Sequence, residues 1–213
     1  LLVLPALFIF KQPDLGSNLV ITAIWLGIFL ASNLPTLWLI FLSLSFASLS
    51  PLIFKFLKSY QKDRITSFLN PYKDPKGSGY QLIQSMIAVG SGGVFGLGLG
   101  HGTQSHLAFL PEQHSDFIFA SLAEEMGLLG SIVLISAIFF LLKRILTISK
   151  HTPDQFSYYI CIGVFSMILF QSFVNIAMNL GIMPITGITL PLVSAGGSSV
   201  LATMIALGIV HNI

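Results

Sequence analysis

Apolar runs of membrane-spanning length recur along this chain, and no other feature so narrows what it can fold into. A span needs about 20 mostly apolar residues, and residues 15–32, 35–57, 117–142, 156–177 and 190–210 each come near that. The opening run 1–10 is too short to cross alone and lacks the basic flank and cleavage site of a signal peptide. It reads as the tail of a helix cut off upstream. With 8% charged and 54% hydrophobic residues and a mean hydropathy of +0.87, the expected fold is an all-α polytopic membrane protein. It would have five complete spans plus the end of a sixth, with 1–213 forming a single membrane domain. The one long polar connection covers about 58–116.

The same composition excludes several functions. A net charge of +2 is too small to argue for nucleic acid, and no basic run is interleaved with stacking aromatics as single-strand binders require. From Gln155 to the end there is no Asp, Glu, Lys or Arg. The last two spans therefore carry no ion pathway of their own, which argues against a proton-coupled pump. Cys161 is the sole cysteine, so it cannot form an intrachain disulfide and reads as packed.

Sidedness follows from the basic residues, although they conflict. Lys143, Arg144 and Lys150 mark the connection 143–155 as cytoplasmic, whereas Lys55, Lys58, Lys62, Arg64, Lys73 and Lys76 make the same claim for the long one. One span separates them, and the rule weakens for loops approaching about 60 residues. The short connection is thus the cytoplasmic marker and the long one faces outside. Its basic residues then either bind an anionic ligand or form a solvated surface facing lipid headgroups.

Few residues in such a chain can carry chemistry. Asp116 stands at the foot of the 117–142 span, where a carboxylate needs a function or a partner. Glu112 lies four residues earlier, and a helical turn would put both on one face. Like charges that close raise one pKa, and a divalent cation, magnesium or manganese, held between them is the alternative. Capping of a helix beginning near Ser115 is the plainer reading for both. Glu124 and Glu125, two turns inside the span, either line a cavity beneath Asp116 or bond to a neighbouring helix. Asp14 either orients a basic residue or forms an Asx-type turn ahead of Gly16. Asn175 and Asn179, at i and i+4, either bond across helices or line the cavity. The Gly-x-Gly pairs of 90–102 lack the strand–helix–strand setting of a nucleotide loop; they suit tight packing or close backbone approach. His101, His106 and His114 come without cysteine or metal-ligand spacing, so no metal site is assigned. The small residues Thr186, Ser194, Ser198 and Ser199 suit close helix packing, with substrate contact as the other reading.

Four motifs in order resemble one family: QPDLGS at 12–17, RITSFLNPYKDPKGSGYQLIQSMIAVGSGG at 64–93, GHGTQSHLAFLPEQHSDFIFASLAEEMGLLG at 100–130 and NLGIMPITGITLPLVSAGGSS at 179–199. The chain is similar over nearly its whole length to the SEDS proteins of the RodA, FtsW and SpoVE type, bacterial peptidoglycan glycosyltransferases, and is most like the RodA branch. Ser115, Leu97 and Ala195 depart from the residues common there, Thr, Lys and Tyr. The resemblance implies the C-terminal part of a ten-span protein of the bacterial cytoplasmic (inner) membrane, with the large extracytoplasmic loop at about 58–116. It implies polymerisation of lipid II with release of undecaprenyl diphosphate for cell elongation and shape, beside a class B penicillin-binding transpeptidase. Membrane lipids would be the only other partner, and nucleic acid none.

That chemistry needs a base for the sugar hydroxyl, a contribution of about 10²–10⁴-fold, and positive charge for the leaving diphosphate. The resemblance gives Asp116 the role of base. Arg64, whose fork can hold two phosphate oxygens, is the foremost candidate for the diphosphate, with Lys62, Lys73 and Lys76. Glu112, His114, Gln104 and Ser105 are further candidate substrate contacts, and Asp14, Glu124, Glu125, Asn175, Asn179 and Ser198 are structural or cavity-lining. A flippase for the same lipid and a non-catalytic scaffold of the cell-wall complex are the rival readings.

Overall fold

The structure, a computed structural model, describes residues 14–32, 58–73, 77–106 and 114–213, with scattered positions between 35 and 48. The expected span 35–57, the run 1–10, Lys76 and Glu112 therefore lie outside the described residues. Seven α-helices follow one another among those described: α1 Leu15–Ala31, α2 Ser59–Leu69, α3 Ser78–Ser91, α4 Thr103–His106, α5 Ile118–His151, α6 Gln155–Asn179 and α7 Gly197–Asn212. A 3-10 turn, Pro71–Lys73, joins α2 to α3, and no strand occurs among the described residues.

Local chemistry sets the helix starts. Asp14 caps α1 by accepting from the Ser17 amide at 3.0 Å and the Ser17 hydroxyl at 2.5 Å, and Asp154 caps α6 through the Ser157 amide at 3.2 Å. Such caps satisfy amides that a helix cannot bond internally. Helices α5 and α6 are long and apolar enough to cross a membrane; α1 and α7 are apolar but shorter. With 34 residues across a break at Gly127, α5 has more chain than the roughly 20 residues needed to cross a bilayer. It continues past the expected end at Leu142 to His151.

Two expectations require correction. The run 190–210 is helical only from Gly197. Before it, Pro191 lacks an amide hydrogen and Leu192 adopts φ +65°, so the chain turns there, with Ile185, Ile188 and Leu190 buried. Hydropathy alone cannot separate such a buried irregular segment from a helix. The connection 58–116 is also no open loop: α2, α3 and α4 form within it. Leu82 and Ala88 of α3 pack with Phe117, Ala120 and Ile185 in one buried cluster. A second cluster joins Leu142 and Ile145 of α5 to Cys161, Val164 and Ile168 of α6 and Val210 of α7.

Helix α5 is broken at Gly127 (φ 65°, ψ −161°), and the Gly-rich segment 92–98 fills the break. The amides of Leu128 and Leu129 donate to the carbonyls of Gly93 (2.9 Å) and Val94 (3.2 Å), while the carbonyls of Glu124 and Glu125 accept from the amides of Leu97 and Gly98, both at 3.0 Å. Two helical bonds are exchanged for four with the inserted segment. Backbones approach so closely that a side chain on Gly96 (φ +81°) would collide with the Glu125 carbonyl, and one on Gly127 with the Gly96 amide.

Candidate functional site

Asp116 sits in the turn that leads into α5. The helix's N-cap is Phe117, which makes no side-chain cap of its own. Three successive carbonyls of this turn are each held from another part of the chain. The His114 carbonyl accepts from the Ala195 amide at 2.7 Å, and the Ser115 carbonyl from the Ser194 hydroxyl at 2.6 Å. That of Asp116 accepts from Nδ2 of both Asn175 (2.9 Å) and Asn179 (3.0 Å).

The two asparagines are fully buried and well satisfied. Asn175 gives its second amide hydrogen to the Ile188 carbonyl at 2.8 Å, and Asn179 gives its own to the Asn175 carbonyl at 2.8 Å. The Oδ1 of Asn179 accepts from the Ala120 amide at 3.2 Å, and the buried Ser85 hydroxyl reaches the Asn179 carbonyl at 2.9 Å. Ser194 in turn accepts from the Leu190 amide at 2.8 Å. Helix α6 and the segment 188–195 thus hold the main chain of one turn, with α3 and α5 bonded to Asn179 behind it, and leaving any of these buried groups unpaired costs roughly 1–3 kcal/mol.

The side chain of Asp116 points toward Gly187. A methyl group on Gly187 would stand 3.7 Å from Asp116 Oδ2 and 3.9 Å from Arg64 Nη1, so a carboxylate from α5's lead-in and a guanidinium from α2 border the same space over one glycine. Gly187 has φ +77°, which favours glycine, and its bare Cα keeps that space open. On its other side the start of α1 abuts the same segment: a side chain on Gly16 would lie 3.0 Å from the Thr186 carbonyl and 3.5 Å from Asp14 Oδ1.

The other candidates fall in separate places. Lys62 is half-buried on α2, one half-turn from Arg64. Lys73 ends the 3-10 turn and Ser105 lies in α4. Glu124 is fully buried, and its Oε1 accepts from the Thr103 hydroxyl at 3.2 Å and the Gln104 amide at 2.8 Å, anchoring the start of α4 beside the break in α5. Gln104 takes part there through its main chain. Glu125 is half-buried and contributes its carbonyl to the inserted segment; His114 and Ser198 are exposed. The structure therefore gathers Asp116, Arg64, Asn175 and Asn179 into one site, and Glu124 with Gln104 into another. Sequence reasoning missed Gly187 and Ser85 and read Ser194 as packing; only the PITGITL motif hinted at the first. Among the described residues no three His, Cys, Asp or Glu side chains gather as metal ligands.

The family model FtsW/RodA/SpoVE, described as cell cycle protein, matches residues 1–213. The chain is 41% identical over 214 residues to the peptidoglycan glycosyltransferase MrdB of Escherichia coli K12, covering 100% of this chain and 58% of that protein. It is 40% identical to stage V sporulation protein E of Bacillus subtilis, over 97% of this chain and 56% of the relative. To the peptidoglycan glycosyltransferase RodA of Treponema pallidum it is 48% identical, over 74% and 36%. A solved structure on the coordination of polymerization and crosslinking by a peptidoglycan synthase complex contains a chain of like fold: TM-score 0.78, 36% identity, 99% of this chain and 59% of that one. The chain thus spans a little over half the length of MrdB, of stage V sporulation protein E and of the solved chain.

Proposed function

The chain belongs to the FtsW/RodA/SpoVE family, and from that premise we propose that the protein carrying it polymerises lipid II into glycan strands. The observation that carries this reading is that Asp116 and Arg64 border one space over Gly187, with Asp116 on a turn whose main chain is pinned by Asn175, Asn179 and Ser194. A base must be held in place to be effective, and here the holding groups take carbonyls of the turn, not the carboxylate.

In the proposed reaction the 4-hydroxyl of one GlcNAc attacks the anomeric carbon of MurNAc on a second lipid-linked unit. Asp116 takes the hydroxyl proton as the new C–O bond forms, and the bond to undecaprenyl diphosphate breaks with its electron pair leaving on the diphosphate. Inversion needs no covalent enzyme intermediate, so one carboxylate suffices, unlike the carboxylate pair of glycosidases. Diphosphate departs without a general acid but demands positive charge, which Arg64 supplies through its fork.

The reading extends to topology and partners. Helices α1, α5, α6 and α7 with the segment 35–57 are assigned as the five spans of a multi-pass protein of the bacterial cytoplasmic membrane. The connection 58–116 faces outward, where lipid-linked disaccharide peptide is presented. A class B penicillin-binding transpeptidase is the proposed partner, supported by the synthase complex in which the structural relative occurs. The deciding experiment is lipid II polymerisation by the full-length protein co-purified with that transpeptidase. Asp116→Asn should abolish polymer while lipid II binding persists; full activity of the variant would overturn the assignment.

A further inference from the structure

A cavity at the end of α5 remote from Asp116 takes no part in this chemistry. It measures about 610 Å³ and opens between the last turns of α5 and α7, within the roughly 300–1,000 Å³ of small-ligand sites. Its lining is divided. Arg144, Thr147, His151, Thr152 and His211 supply basic and hydroxyl groups, and residues such as Leu141 and Leu207 an apolar wall. No Asp or Glu is among the described residues that line it.

A helix C-terminus ordinarily repels anions through its bare carbonyls, but here those nearest the cavity are occupied. His151 Nδ1 donates to the Thr147 carbonyl at 2.8 Å, and the Thr152 hydroxyl donates to that of Ile148 at 2.9 Å. A carbonyl only accepts, so Nδ1 carries the hydrogen and Nε2 is the atom left to meet a ligand. The nearest carboxylate in sequence, Asp154, is directed to the Ser157 amide and hydroxyl at the start of α6.

An acid-free basic rim joined to an apolar wall, between the end of α5, which is long and apolar enough to cross a membrane, and the apolar α7, matches one ligand chemistry. Basic pockets between membrane helices take anionic headgroups. We propose that this cavity binds the phosphodiester headgroup of an anionic phospholipid, with Arg144 as its principal contact and an acyl chain along Leu141 and Leu207. The Arg144 fork suits two phosphate oxygens. Free phosphate shares the charge but forfeits the apolar contact.

Native mass spectrometry of the full-length protein, titrated with phosphatidylglycerol or phosphatidylcholine, tests this. Wild type should retain phosphatidylglycerol about fivefold better. Arg144→Gln should fall to the phosphatidylcholine level, whereas Lys143→Gln, exposed and outside the cavity, should not. Arg144→Lys should retain part of the preference, and thermal unfolding of each variant separates lost binding from lost fold. Equal retention of the two lipids by wild type, equal loss in the Arg144 and Lys143 variants, or displacement of the lipid by equimolar inorganic phosphate would each overturn the proposal.

Discussion

The side-chain amide of Asn179 holds Asp116 by its main-chain carbonyl, at 3.0 Å. The position from which the Asp116 carboxylate projects is therefore set from α6, at Asn179 some sixty residues later in sequence, without consuming either carboxylate oxygen in that bond.

Replacing Asn179 with Ala should be costly. It strands the Ala120 amide and removes one donor from Asp116, and both groups are buried in the helix junction. A loss of roughly 1–3 kcal/mol is expected, read as a lower thermal unfolding temperature of the detergent-solubilised protein. Unchanged unfolding would mean that the clamp contributes nothing.

Arg64 should separate charge from shape. Arg64→Ala is expected to lower the polymerisation rate by on the order of 10²–10³-fold. Arg64→Lys keeps the charge but loses the fork, and should recover only part of that rate. Equal rates for all three proteins would remove Arg64 from the reaction.

At Gly187 the backbone and the site are tested together. An added methyl would make ordinary contact with Asp116 and Arg64, while φ +77° costs roughly 1–2 kcal/mol with a Cβ present. Gly187→Ala should therefore unfold only a little earlier, yet lose on the order of tenfold to hundredfold in kcat/KM through misplacement.

Two further glycines should respond in opposite directions. Gly96→Ala meets the Glu125 carbonyl head-on at φ +81°, where the backbone strain alone is roughly 1–3 kcal/mol, so little folded protein should be recovered. Gly90, within α3, has nothing within 4 Å; Gly90→Ala should be neutral or raise stability by about 0.5–1 kcal/mol. Size-exclusion profiles of the two variants make the comparison.

Much of the helical plan was legible in the sequence because burial of long apolar runs leaves the chain few other options. Asp14, read as orienting a basic residue or forming an Asx-type turn, and Asp154, which the sequence did not single out, turned out to cap helices. What stayed hidden depended on tertiary partners. Nothing in GSGGVFGLG indicates that its amides would bond to a helix thirty residues onward, since any Gly-rich stretch permits such approach without requiring it. Asp116 stood out as a lone acid beside a span, but its sharing of the space over Gly187 with Arg64 needed the fold of α2, which a polar stretch read as a loop does not disclose. Ser194 looked like one more small packing residue until its hydroxyl was placed between Leu190 and Ser115.

The exchange of bonds at Gly127 has a bearing on how the protein is made. Until segment 92–98 docks, the amides of Leu128 and Leu129 and the carbonyls of Glu124 and Glu125 have no partners in the broken geometry, and unpaired main-chain groups cost several kcal/mol each in lipid. During insertion by the translocation machinery, then, α5 enters as an unbroken rod, or its upper turns wait in water. The break is completed only after segment 92–98 has come back against it. The joint that gives the finished protein its bent helix is, on this account, one of the last things biogenesis puts together.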